Sequence, residues 1–283
     1  MELLDRFIRE KPSGRLYHYT CATGLIGIVQ SGKLWATDYR HLNDRKEYQI
    51  GAMLLRDELR SSRLSEEQCT AFESLVLHTQ RGCFVLSFSE RGDQLSQWRA
   101  YCPSGNGYAL GFGQQNSLFS SAKRHHFNLI RCEYDHREQQ KLSRYLVEAF
   151  MEGTVSRKSS LGRASTVESR VKTFFDRYKW NLALALVMSA LKHSGFEEEK
   201  EWRLVSQYPE DALYGVSFRS GRFGVTPYFE LPMATGDGPH HIDEIIIGPT
   251  SNRTVSRAAL DLLLSKSNTA VGHIKVSHTP LRH

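Results

Sequence analysis

The chain has 283 residues, of which 40% are hydrophobic and 24% charged, so it has the composition of an ordinary globular protein and the length to bury a sizeable core. No run of 18 apolar residues occurs and the segment Met1-Glu2-Leu3-Leu4-Asp5-Arg6 lacks an apolar signal core, which excludes a spanning helix and leads us to expect a cytoplasmic protein with no membrane partner. The net charge of +6 suits an anionic partner, such as a dinucleotide or a nucleic acid, without requiring one.

In chain order, residues 2–10 predict a short amphipathic helix, stopped by Lys11-Pro12-Ser13-Gly14. A strand follows at 16–20. Residues 22–31 predict a helix with Leu25, Ile28 and Val29 on one side and Gly32 as its C-terminal cap. Lys33 to Thr37 returns as a strand. Asn43 or Asp44 can cap a helix at about 45–59, and a second helix is expected at 65–79. Residues 82–89 read as a strand and 93–101 as a short helix or turn. The glycine-rich run 105–113 matches neither GxGxxG in its strand–helix setting nor a P-loop, and predicts a hairpin turn entering a strand. A strand at 131–134 leads into helices at 135–152 and 166–194, where Leu182 to Leu191 is apolar enough to be a buried helix. Strands are expected at 201–207, 214–218, 225–231, 242–247 and 273–277, with a helix at 254–266 between the last two. Strands, then helices, then strands again make an α+β pattern rather than a βαβ series. No strong linker interrupts it, so we expect one domain over 1–283 with a helical insertion at 135–194.

Five cysteines (21, 69, 83, 102 and 132) form no CxxC pair, which argues against a zinc site and a disulfide framework and leaves free, mostly buried thiols. Four segments can carry chemistry instead. In an extended chain alternate side chains share a face, so His18 and Thr20 stand together, as do Glu199, Glu201 and Arg203. His18 can donate to a ribose or phosphate; the plainer reading is a satisfied histidine in a half-buried strand. Ser87 and Ser89 also share a face, with a local serine turn as the plainer reading. On a turn of helix at 93–101, Gln94, Gln97 and Tyr101 fall on one side, and Arg99 can fork onto a pyrophosphate; the alternative is a packed helix anchored by Trp98. Glu201 can accept from a ribose hydroxyl and stabilise a cationic sugar, and Glu199 can serve as a general base. The alternative is an ion-paired face in which Arg203 neutralises Glu201.

The segments LYHYT, LND, FVLSFSE, LSQWRAY, FEEEKEWRLV, GVTPYFEL, IIIGPT and VSHTPLR, in that order, resemble a bacterial domain family of unknown function. More loosely, the His-x-Thr strand, Ser87-Phe88-Ser89 and Glu199-Lys200-Glu201 resemble the motifs of ADP-ribosyltransferases. That resemblance implies a split mixed β-sheet with a helical insertion, and NAD as the substrate. It implies NAD binding by His18 and Thr20, support from Ser87 and Ser89, catalysis by Glu201 and action on the acceptor by Glu199. Tyr39, Tyr48 and Tyr101 become candidates for stacking on nicotinamide, and Arg99 for holding the pyrophosphate. The implied reaction is ADP-ribose transfer to a macromolecule, a nucleic acid before a protein on the basic charge. A toxin, effector or phage-defence role, with room for a cognate antitoxin, goes with it. An NAD glycohydrolase and a non-catalytic nucleotide-sensing module stay open. On this reading Glu201→Gln is expected to abolish cleavage without disturbing the fold.

Overall fold

A computed structural model describes residues 10–42, 45–62, 64–80, 82–102, 107–155, 180–207, 215–221, 224–236, 238–250 and 252–280. Residues 2–9 of the expected first helix, the Asn43/Asp44 cap, residues 166–179 of the helix expected at 166–194 and the Gly105-Asn106 turn lie outside the described residues.

The described residues form a mixed α+β structure around a large sheet. Its strands are β1 (Leu16–Cys21), β2 (Lys33–Asp38), β3 (Cys83–Ser89), β4 (Gly107–Phe112), β5 (Asn128–Arg131), β6 (Glu201–Gln207), β7 (Val216–Gly221), β8 (Gly224–Pro232), β9 (His240–Ile247) and β10 (Thr269–Val276). The helices are α1 (Ala22–Ser31), α2 (Arg45–Ser61), α3 (Glu66–Gln80), α4 (Leu95–Tyr101), α5 (Ser117–Arg124), α6 (His136–Val155), α7 (Trp180–Ala190) and α8 (Arg253–Ser265). Two 3-10 turns, Tyr39–His41 and Ser194–Glu199, complete the description.

The strands run β10-β9-β4-β1-β3-β2-β8-β7, with β6 alongside β3 and β5 outside β6. Among the described strands only β9 and β10 pair in parallel. The centre of the sheet is where it divides. Along one edge β3 pairs in full with β6, from Cys83↔Gln207 to Ser89↔Glu201. Its other edge is shared: β2 holds Phe84 and Val85, and β1 meets it only at Ser89. Between those contacts β1 and β2 part.

Each face of the sheet is covered for a reason visible in the residues. Leu25, Ile28 and Val29 of α1, Leu118 and Ala122 of α5 and Leu260 of α8 bury against Leu86, Phe88, Phe112 and Trp202 on one face. Alpha-1 stops where expected: Gly32 takes the left-handed conformation (φ +66°) and its N–H bonds Ile28 O at 2.8 Å. The His240 ring packs on the same glycine, where any Cβ would collide with it. On the opposite face α7 lies flat. Its Ala185, Leu186 and Ala190 meet Val85, Ile130 and Val205, while Leu184, Val187 and Met188 meet α2, α3 and α6. A helix covered on both sides needs no polar stripe, which is why Leu182 to Leu191 is apolar all round. Helices α6 and α7, from the expected insertion, thus share one core with α2 and α3, around Leu55, Phe72, Leu146 and Phe150.

Several elements differ from expectation, among them β10, which begins four residues before the expected 273–277. Helix α5 has no counterpart in the pattern, being short and serine-rich; its start is set by Asn116, whose Oδ1 accepts from Leu118 N at 2.9 Å. Strand β5 lies three residues before the expected 131–134, because its register is fixed by Arg131↔Trp202. The residues after it stay tied to the sheet instead by Cys132 N bonding Glu201 O at 2.9 Å. The five cysteines are free, three of them buried, and burial pushes the Cys83 and Cys102 thiols up to about 12.

Asp93 fastens α4 to the far end of the chain. Its carboxylate accepts from Trp98 Nε1 (2.7 Å), Ser277 Oγ (2.5 Å), Thr279 Oγ1 (2.9 Å) and His278 N (2.9 Å). Burial alone would raise its pKa, but the bonds from Ser277, Trp98, His278 and Thr279 outweigh this and hold it below the usual carboxylate range. Asp93→Ala should lower unfolding stability by about 2 kcal/mol, read by urea denaturation. In the native chain Asp93 stabilises fully above about pH 4, and that contribution should fade as pH falls through its depressed pKa. A flat stability between pH 5 and 2, relative to Asp93→Ala, would refute this.

Candidate functional site

Where β1 and β2 part, β3 exposes a carbonyl that no strand reaches, and His18 covers it. His18 Nδ1 lies 3.0 Å from Ser87 O. A carbonyl only accepts, so Nδ1 carries the proton and Nε2 is left as the acceptor of the neutral ring. Burial lowers the His18 pKa, with the Ser87 bond opposing it only in part. His18 is therefore a satisfied strand histidine and also lines the cleft, with Nε2 as a hydrogen-bond acceptor where a donor was expected.

Direct strand partners share a face, so Tyr17, Ser89 and Glu201 stand together, with Ser87 beside Arg203 one step along. Ser89 forms the expected serine turn, its Oγ accepting from Arg91 N at 3.0 Å and donating to Glu199 O at 2.7 Å. Helix α4 closes the cleft from above. Trp98 anchors it against Tyr19 at 4.7 Å between rings, and this turns Gln97 and Tyr101 towards the carboxylates. Burial and the nearby charges of Glu201 and Glu199 push the Tyr101 phenol well up.

Glu199 and Glu201 do not belong to one strand, contrary to the spacing. Glu199 ends the 3-10 turn, Lys200 is left-handed (φ +44°), and β6 begins at Glu201. What joins the two carboxylates is Lys192, just past the end of α7. Its Nζ lies 2.5 Å from Glu199 Oε2 and 2.5 Å from Glu201 Oε2. Arg203 grips Glu201 from the other side, Nε to Oε1 at 2.8 Å and Nη2 to Oε2 at 2.9 Å. The expected ion pair is thus present, within a larger cluster of two cations and two anions. Burial alone would raise the Glu201 pKa; Arg203 and Lys192 overcome it and hold the carboxyl far below its ordinary value.

The structure brings His18, Ser87, Ser89, Tyr101, Glu199 and Glu201 to one cleft. Thr20 and Arg99 do not line it. Thr20 sits at the other end of β1, its hydroxyl packed on Gly24 where a Cβ would clash, because the strand turns directly into α1. Arg99 is exposed, because α4 presents Gln97 and Tyr101 to the cleft instead. Tyr39 is buried beneath α7, with its hydroxyl bonding Met188 O at 2.9 Å. Tyr48 belongs to α2, and its side chain lies outside the described residues. The residue that the spacing missed is Lys192, whose one signal is a lysine directly after the most apolar run of the chain. The water-accessible space in the cleft is small, about 40 Å³. A larger cavity of about 610 Å³ opens beside Arg131, Tyr134 and His136. Residues 193–201 contribute to both. No group of residues suited to a metal ion occurs among the described residues, and no helix there is long and apolar enough to cross a membrane.

The signature of a protein family of unknown function, DUF2971, matches residues 97–204. The match begins in α4 and ends in β6, so it takes in Gln97, Tyr101 and the whole charge cluster. No curated protein and no solved structure matches the chain significantly.

The cluster changes what Glu201→Gln should do. Neutralising one member leaves two buried cations facing one carboxylate, so the variant should lose about 3–5 kcal/mol of stability rather than fold unharmed. Lys192→Met with Glu201→Gln keeps the balance and should recover most of that loss in thermal unfolding. His18 adds a pH dependence of its own. Above about pH 6.5 it is neutral in both folded and unfolded chains; below that the unfolded chain takes the proton more readily, so stability should fall as pH drops. An NMR titration midpoint for His18 at or above the free value would overturn this.

Proposed function

We propose that this chain cleaves NAD at the nicotinamide–ribose bond and transfers ADP-ribose to a macromolecule, on a sheet of the ADP-ribosyltransferase type. The observation that supports this most is the parting of β1 and β2 along β3, which gathers His18, Ser87, Ser89 and Glu201 at one junction, in the order that the motifs take along the chain. Tyr101, at the mouth, offers an aromatic surface to the nicotinamide ring. His18 Nε2 accepts from a ribose hydroxyl. Glu201 is ionised at every physiological pH, and its fixed negative charge stabilises the cationic sugar as nicotinamide leaves. Ser89 holds the backbone of Glu199, which places that carboxylate next to the sugar, where it takes the acceptor's proton. A cytoplasmic location and a nucleic acid acceptor go with this reading, the latter favoured by the net charge of +6.

One observation favours a second reading, that of a nucleotide-binding module without turnover. Both oxygens of Glu201 are already engaged by Arg203 and Lys192, and the cleft holds only about 40 Å³ of water-accessible space.

Labelled NAD, offered with single-stranded DNA, RNA and cell protein as acceptors, separates the two. The native chain should release nicotinamide and label a macromolecule. The charge-balanced Lys192→Met/Glu201→Gln variant should lose roughly 100-fold or more of the release while staying folded. His18→Ala should weaken NAD binding by about tenfold, one hydrogen bond's worth, in calorimetry. Binding of NAD with no release under any acceptor condition would favour the module, and release without label would mean hydrolysis.

A further inference from the structure

Lys192 carries information about the acceptor. We infer that the site takes an uncharged nucleophile, a hydroxyl or ring nitrogen, and that Lys192 is the specificity-determining residue that bars cationic acceptors such as a guanidinium group. This deepens the transferase reading above and rests on it.

The argument begins with charge. The carboxylates of Glu199 and Glu201 would together form a natural seat for a cationic side chain. Lys192 already occupies that seat, 2.5 Å from each, with its side chain 4% exposed. With Arg203 the set, buried except for the partly buried Glu199, holds two positive and two negative charges and sums to zero. A third cation entering it would be stripped of water and find no unmatched anion, which is the arrangement that buried charge tolerates least. An uncharged nucleophile meets no such barrier, since it needs only an acceptor for its proton.

Lys192 is also built to stay. Its backbone N–H bonds Glu133 O at 3.1 Å, and its carbonyl accepts from the buried Gln139 Nε2 at 2.7 Å. Its ammonium stands 5.3 Å from the centre of the Phe196 ring, on the turn that carries Glu199. An incoming guanidinium would have to displace an ammonium held on three sides. Rejection of this kind comes from an occupied counter-charge, an exclusion device rather than a better fit for the preferred partner.

In the transfer step the C1′–N bond of NAD breaks and its electron pair goes to the pyridinium nitrogen, so nicotinamide leaves uncharged. A C1′–O or C1′–N bond forms to the acceptor, whose proton passes to Glu199 and on to solvent.

The test offers the native chain labelled NAD with agmatine as the guanidinium probe, in parallel with a single-stranded DNA oligonucleotide and with water alone. Nicotinamide release and ADP-ribosyl-agmatine are measured separately. The native chain should release nicotinamide while forming ADP-ribosyl-agmatine at least roughly 100-fold more slowly. Lys192→Met, which exposes the two carboxylates, should raise the share of agmatine in the product by about tenfold or more, whereas the charge-conserving Lys192→Arg should not. Agmatine labelled by the native chain as fast as nicotinamide is released would overturn the inference and leave the transferase reading standing. So would a folded Lys192→Met with the native acceptor ratio. Absence of nicotinamide release from the native chain would overturn both. If Lys192→Met fails to fold, the native ratio alone decides.

Discussion

Four charges, three of them buried, organise this protein. Lys192, Glu199, Glu201 and Arg203 come from the end of a helix, a 3-10 turn and a central strand, and none is tolerable without the others. Arg203 also donates to Ser189 O in α7 at 2.7 Å, and the Tyr134 hydroxyl accepts from Glu201 N at 3.0 Å. The helical layer and the sheet are therefore joined by a directional network, where apolar packing by itself would let α7 slide along the sheet. The same network fixes the two carboxylates at the mouth of the cleft. Stability and the candidate site share their atoms here, so a change aimed at one moves the other.

Much of the fold is legible in local pattern. Alpha-1 and its glycine stop, the full extent of β6 and the buried character of α7 all follow from periodicity and composition over a few residues. What is not legible is whatever depends on two distant segments meeting. Glu199 and Glu201 look like alternate positions of a strand, and only the left-handed Lys200 shows that a turn comes between them. Thr20 looks like the partner of His18, yet β1 passes straight into α1 and draws Thr20 away from the junction. Lys192 carries no motif at all. Its role comes from depth, and depth is a property of the packed helices around it.

The more specific sequence motifs divide into two kinds once their contacts are known. The tryptophan of LSQWR and the Ser-His-Thr near residue 278 meet on Asp93, and their distinctiveness reflects one hydrogen-bonded hub. The segment around Glu201 is distinctive because of the cleft. The family match from residue 97 to 204 includes Gln97, Tyr101 and the cluster but leaves out His18, Ser87 and Ser89. The half of the junction that supplies charge is thus the half that the signature covers.

The Asp93 hub also sets an order of events. Helix α4 roofs the cleft, yet its anchor is fastened by residues 277–279, about 184 positions further along the chain. During synthesis, β1, β3 and β6 leave the ribosome and can pair before that clasp exists, since chains fold from the N-terminal side as they emerge. The roof is closed last, by a contact of very high sequence separation. A nascent chain therefore carries its carboxylates and its histidine in place well before it has a finished pocket. The clasp can form only once residues 277–279 have emerged.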